Sequence, residues 1–199
     1  MCYIPKLLMI FRLLLGPVII YLAYKIEETN KLYIVILMYL GLLSDILDGI
    51  IARKLGVATE KLRRMDSLID LIFWISIGIS SWIISPKIIE NHLILILVLI
   101  LLEGLCYIIS FIRFKKETST HAYSSKLWGI TLLLAFTSII GFNYGGFFFY
   151  LTVIVGLISY IDILLILFLL PKWEHDVPSF FHAYLIRKNI PFKRHSWFH

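Results

Sequence analysis

Apolar residues fall in long blocks along this chain. Near residues 7–24, 32–53, 65–85, 93–112, 127–144 and 148–170, leucine, isoleucine, valine and aromatic side chains follow one another with few interruptions. A helix needs about 20 such residues to cross the hydrocarbon core of a bilayer, so the pattern predicts about six transmembrane helices. The blocks do not alternate apolar with polar positions, as the strands of a membrane barrel would. The expected fold is all-α and polytopic, with residues 1–170 as one membrane domain and 171–199 as an interfacial tail. That tail mixes aromatic residues such as Trp173, Phe180 and Phe181 with basic ones, a mixture favoured at the membrane–water boundary. The first block lacks a small-residue cleavage site and reads as a retained span rather than a removable signal peptide.

Composition agrees with the pattern. The 199 residues are 60% hydrophobic and only 16% charged, where a soluble domain carries about 25% charged residues. The two cysteines, Cys2 and Cys106, give no disulfide framework. The net charge of +6 does not point to nucleic acid, because no soluble face interleaves basic and aromatic residues. Its distribution reports topology instead. With the N-terminus inside, 16 of the 19 lysines and arginines, Lys6 and Arg12 among them, belong to the inner side, and only Lys25, Lys31 and Lys87 to the outer. Positive residues accumulate on the cytoplasmic side, so both termini are expected there.

Four acids interrupt the apolar pattern: Asp45 and Asp48 in the second block, Asp66 and Asp70 in the third. A carboxylate near the bilayer centre costs roughly 2.5–3.5 kcal/mol on insertion scales. A cluster of four is easiest to keep if hard divalent cations, which prefer carboxylate oxygen, neutralise it. At 100° per residue, Asp48, Gly49, Ala52 and Arg53 lie at about −60°, +40°, −20° and +80° from Asp45, on one helix face. Asp66 and Asp70 are four apart and stack on one face of the next helix. A short connection would let two antiparallel helices bring these faces together. Gly49 and Ala52 leave room either for a flat ligand or for close helix packing, and Arg53 adds a bidentate phosphate-binding fork. Metals, an arginine and open space suit phosphoryl transfer. A divalent-cation transporter could use the same carboxylates, but a guanidinium on the wall of a cation path argues against it.

These residues resemble a known signature. The pattern D-x2-D-G-x2-A-R-x8-G-x3-D-x3-D of the CDP-alcohol phosphotransferase family is matched at seven of eight positions by Asp45, Asp48, Gly49, Ala52, Arg53, Asp66 and Asp70. Leu62 stands where the family has glycine. Pro5, Arg12 and Pro17 are spaced as in the family's opening I-P-N-x-x-T-x-x-R-x4-P, with Lys6 and Met9 in place of asparagine and threonine.

The resemblance implies transfer of a phosphatidyl group from CDP-diacylglycerol, or a related CDP-lipid, to a small alcohol with release of CMP. It implies two Mg2+ or Mn2+ ions on Asp45, Asp48, Asp66 and Asp70, with Asp70 also as general base. It places Gly49, Ala52, Arg53 and the Leu62 position at the CDP moiety. Glycerol 3-phosphate is the first candidate acceptor, as in phosphatidylglycerophosphate synthases. Arg113, Lys116 and Lys126, with His121, Ser124 and Ser125, are candidate residues for an anionic acceptor. The resemblance also implies a homodimer among membrane lipids, in a bacterial plasma membrane, with the site facing the cytoplasm. A relative that has lost catalysis, with Leu62 filling the nucleotide site, is the other reading. Glu103 and Asp162 lie in predicted spans and are either functional acids or polar interhelical contacts. The tail histidines His175, His182, His195 and His199 lack metal-ligand spacing.

Overall fold

The computed structural model describes residues 3–25, 27–57, 59–116, 122–174 and 177–190. Among them the regular structure is entirely helical: α1 (Tyr3–Tyr24), α2 (Glu28–Lys54), α3 (Glu60–Ile84), α4 (Pro86–Asn91), α5 (Leu93–Phe114), α6 (Tyr123–Phe136), α7 (Phe147–Leu169) and α8 (Phe180–Arg187). A π-helical turn, Thr137–Gly141, extends α6. Six helices are long and apolar enough to cross a membrane: Tyr3–Tyr24, Thr29–Lys54, Lys61–Ile84, Leu93–Phe114, Tyr123–Gly141 and Phe147–Leu169. They fall on the six predicted blocks. Most begin a few residues earlier than the apolar blocks, because capping and polar helix formers start a helix before its apolar part, whereas the spans ending at Ile84, Gly141 and Leu169 stop short of the predicted 85, 144 and 170. Thus α3 begins at Glu60, where the Thr59 hydroxyl accepts a hydrogen bond from the Leu62 N–H at 3.3 Å.

Many large apolar side chains face outward, among them Ile94, Leu101 and Ile112 on α5 at 70–78% exposure. A soluble protein would not expose such a band, whereas lipid solvates it without cost.

The chain divides into two compact units, Met1–His92 with Leu133–Gly146, and Leu93–Leu132 with Phe147–His199. In the first unit, α1 packs along both α2 and α3, which barely touch one another. The acidic faces of α2 and α3 meet as expected, one carboxylate oxygen each of Asp45, Asp48 and Asp66 lying within 4.8 Å of the others; what the sequence did not show is that α1 packs along both helices. The core joins Leu15, Ile19 and Ala23 of α1 to Ile34 and Met38 of α2 and to Phe73 and Ile77 of α3, with Leu133 and Ile140. Two glycines permit this approach. A Cβ on Gly41 would collide with the Phe73 ring, and one on Gly16 would lie 2.7 Å from the Ser76 hydroxyl oxygen. Helix α2 ends in a glycine cap. Gly56 has φ +65, its N–H donates to the Arg53 carbonyl and the Val57 N–H to the Ala52 carbonyl, both at 3.0 Å. This pair of bonds satisfies two of the last free carbonyls of α2 and turns the chain toward α3.

In the second unit, α5 packs on α7 through Cys106, Tyr160 and Leu167. Cys106 is a buried free thiol; Cys2 lies outside the described residues. The tail helix α8 docks on α7, with Ala183 beside Ile166, Leu170, Val177 and Ala122. Phe180, Phe181 and Tyr184 remain exposed along α8. His182 pairs through Nδ1 with the Ser179 hydroxyl at 2.9 Å. His175, His195 and His199 lie outside the described residues.

Candidate active site

The four aspartates meet around one arginine. Asp45 and Asp48 come from α2, Asp66 and Asp70 from α3, and Arg12 from α1. The Arg12 guanidinium is ion-paired to Asp48 at 3.0 Å and to Asp70 at 2.8 Å, and also to Asp45 and Asp66. Side-chain exposure grades the cluster: Arg12 is 1% exposed and Asp48 4%, while Asp66 is 21%, Asp70 32% and Asp45 33% exposed. Asp48 and Arg12 thus form the floor, and the other three carboxylates keep an open side. Burying these charges is tolerable because each carboxylate faces the guanidinium, which can serve several acceptors through its planar fork.

Sequence reasoning set Arg12 among the inner-side basic residues and in the family's opening pattern, but gave it no place in the site. It lies inside α1, fully buried. The available signal was an arginine within an apolar block, which requires an anionic partner in the membrane. Which partner it takes is set by the packing of α1 against α2 and α3.

One carboxylate oxygen from each of Asp45, Asp48 and Asp66 lies within 4.8 Å of the others. A donor set made of carboxylate oxygens suits Mg2+ or Mn2+. Asp70 stands outside that trio and is tied to it through Arg12.

Of the predicted donor-binding residues, Gly49, Ala52 and Arg53 lie in the last turns of α2 and Leu62 in the first turn of α3. A Cβ on Gly49 would meet nothing closer than the Arg53 Nη2 at 4.0 Å. Helix packing therefore does not require a glycine there. Ala52 is buried and Arg53 exposed. Leu62 is half-buried in the first turn of α3.

The candidate acceptor residues belong to the second unit and have local partners. Arg113 donates to the carbonyls of Phe168 at 2.8 Å and Leu170 at 2.9 Å, closing the end of α7. The Lys116 ammonium lies 4.2 Å from the Trp173 ring centroid and that of Lys126 5.9 Å from the Tyr123 ring. Ser125 bonds to Ser159, and His121 lies outside the described residues. Asp162 resolves as a clasp: it accepts from the Ser124 hydroxyl at 2.7 Å and from the Phe180 N–H at 2.8 Å, fixing the start of α8. Glu103 is half-buried on α5.

Residues 2–168 match the family model described as CDP-alcohol phosphatidyltransferase. The match covers most of the chain, which therefore belongs to the CDP-alcohol phosphatidyltransferase family. A curated relative is the CDP-diacylglycerol–glycerol-3-phosphate 3-phosphatidyltransferase of Aquifex aeolicus (strain VF5), 39% identical over 70 residues. That stretch is 35% of this chain and spans 38% of the relative. No solved structure matches the chain.

Proposed function

We propose that this protein transfers a phosphatidyl group from a CDP-linked lipid, CDP-diacylglycerol first among them, to the hydroxyl of a small alcohol, releasing CMP. The observation that carries the reading is the convergence of all four motif aspartates, from two helices, on one partly open site. Family membership supports the reaction class, and the named relative makes glycerol 3-phosphate the first acceptor to test.

In this reading Asp45, Asp48 and Asp66, with Asp70 beside them, hold the divalent metal. When bound, the metal offsets charge on the diphosphate and on the departing CMP. Asp70 is the proposed base: it is partly exposed and lies outside the oxygen trio. It takes the proton of the acceptor hydroxyl as that oxygen attacks the lipid-linked phosphorus. The new P–O bond forms on that phosphorus, the bond to the bridging oxygen breaks, and CMP departs with the electron pair. In this reading Arg53, exposed beside Gly49, pairs with a phosphate of the donor. Leu62 borders the nucleotide and narrows donor choice. The bias of basic residues supports a site open to the cytoplasm.

The arginine amid the carboxylates weighs against a cation-transport path, because a fixed positive charge would repel the passing ion. The test is a transfer assay with purified protein, CDP-diacylglycerol, Mg2+ or Mn2+ and a panel of alcohols including glycerol 3-phosphate. CMP release identifies the class and the lipid product identifies the acceptor. Folded, metal-loaded protein that releases no CMP with any alcohol would exclude the reading.

A further inference from the structure

Arg12 and a divalent metal would draw on one set of oxygens. The guanidinium pairs with Asp45, Asp48, Asp66 and Asp70, and the first three of those carboxylates form the trio suited to a cation. The buried Arg12 Nε and Nη1 have no hydrogen-bond partner among the described residues; Nη2 donates to Asp48 and Asp66, and Nη1 is ion-paired with Asp45 and Asp70. The hold on this guanidinium therefore rests on its Nη atoms and the aspartates they face. The formal charge of four ionised aspartates is −4, and Arg12 leaves −3. One divalent ion brings the cluster to −1. A second would bring it to +1, an excess that the diphosphate of a nucleotide donor offsets.

We propose that Arg12 is a built-in counter-cation that competes with metal for the four carboxylates: it holds the metal-free cluster together and makes retention of a second divalent ion depend on the nucleotide diphosphate. Arg12 is thus a positioning residue that acts through the aspartates. The inference rests on the metal-site reading above and extends it. It also explains how four carboxylates in an apolar setting survive without metal, where a like-charged cluster would otherwise drive the helices apart.

The test uses the full chain in detergent, with Mn2+ binding followed by electron paramagnetic resonance and thermal unfolding recorded in chelator and in Mn2+, each with and without CDP. Wild-type protein should bind Mn2+ more tightly, and in greater number, when CDP is present. Arg12→Gln should bind Mn2+ about tenfold or more tightly without CDP, since a positive charge within contact distance of the ion has been removed. Its unfolding midpoint should fall in chelator and recover in Mn2+. Arg12→Lys keeps the charge but loses the fork, so its metal-free midpoint should also fall and its Mn2+ affinity should lie between the other two. A merely structural arginine would lower stability without tightening metal binding. Equal or weaker Mn2+ binding by Arg12→Gln overturns the proposal. If that variant does not fold, an Arg12→Lys affinity no higher than wild type does the same. Wild-type protein that binds no Mn2+ at all would instead remove the metal-site reading beneath it.

Discussion

Asp70 and Leu62 are the residues on which the chemistry can be separated from the scaffold. Asp70→Asn keeps the size of the side chain and leaves the trio Asp45, Asp48 and Asp66 intact. It should lower transfer on the order of 100- to 10,000-fold, the range for loss of a general base, while Mn2+ binding persists. Turnover close to wild type in Asp70→Asn would remove Asp70 as the base. Leu62→Gly tests the one departure from the family's aspartate signature. If the leucine narrows the nucleotide site, the glycine variant should bind CDP-diacylglycerol more tightly or accept a wider range of CDP-alcohols. Glycine within a helix costs roughly 1 kcal/mol relative to alanine, so thermal stability is measured in parallel. Unchanged donor affinity and choice in a folded variant would make Leu62 a neutral departure. The aspartates were legible because ionised groups in apolar blocks stand out at fixed spacing. The place of Arg12 was not, because its partners come from helices 36 and 54 residues away along the chain. Asp162 was ambiguous for the same reason: Ser124 lies on α6, 38 residues away along the chain, and Phe180 becomes a neighbour only once α8 docks.

At the level of helices, glycines in α2 divide into those that permit packing and those that leave space. Gly41 lies against Phe73, itself 1% exposed in the core. Gly41→Ala should cost roughly 1–3 kcal/mol through overpacking, read as a lower unfolding midpoint in detergent. A methyl added at Gly49 would have only the Arg53 side chain nearby, at 4.0 Å. Gly49→Ala should change stability by less than about 0.5 kcal/mol while weakening CDP-diacylglycerol binding. The opposite ranking of the two stabilities would contradict this division. All six membrane-length helices were legible from hydrophobic blocks alone. Their boundaries were not, since the ends depend on local caps such as Thr59 and Gly56, which carry no hydrophobic signal. The order of packing was equally hidden: nothing in the blocks says that α1 would lie against both acidic helices.

For the whole molecule, orientation follows from charge. The basic residues clustered after α2 and at the start of α3 should face the cytoplasm, and the turn at α4 the opposite side. In a background with Cys2 and Cys106 replaced by alanine, Lys61→Cys should react with an impermeant maleimide only when the inner face is opened. Lys87→Cys should react in intact cells. The reverse pattern would invert the topology and place the aspartate site outside.

The central claim is that a phosphatidyl group passes to an acceptor hydroxyl at the aspartate site. It is tested most directly with CDP-diacylglycerol isotopically labelled at the lipid-linked phosphorus, incubated with purified protein, divalent metal and glycerol 3-phosphate. Attack at that phosphorus predicts all of the label in the lipid product, one unlabelled CMP released per product, and both formed on the order of 100- to 10,000-fold more slowly by Asp70→Asn. Label appearing in the released nucleotide, or product formed at the wild-type rate by Asp70→Asn, would contradict the account.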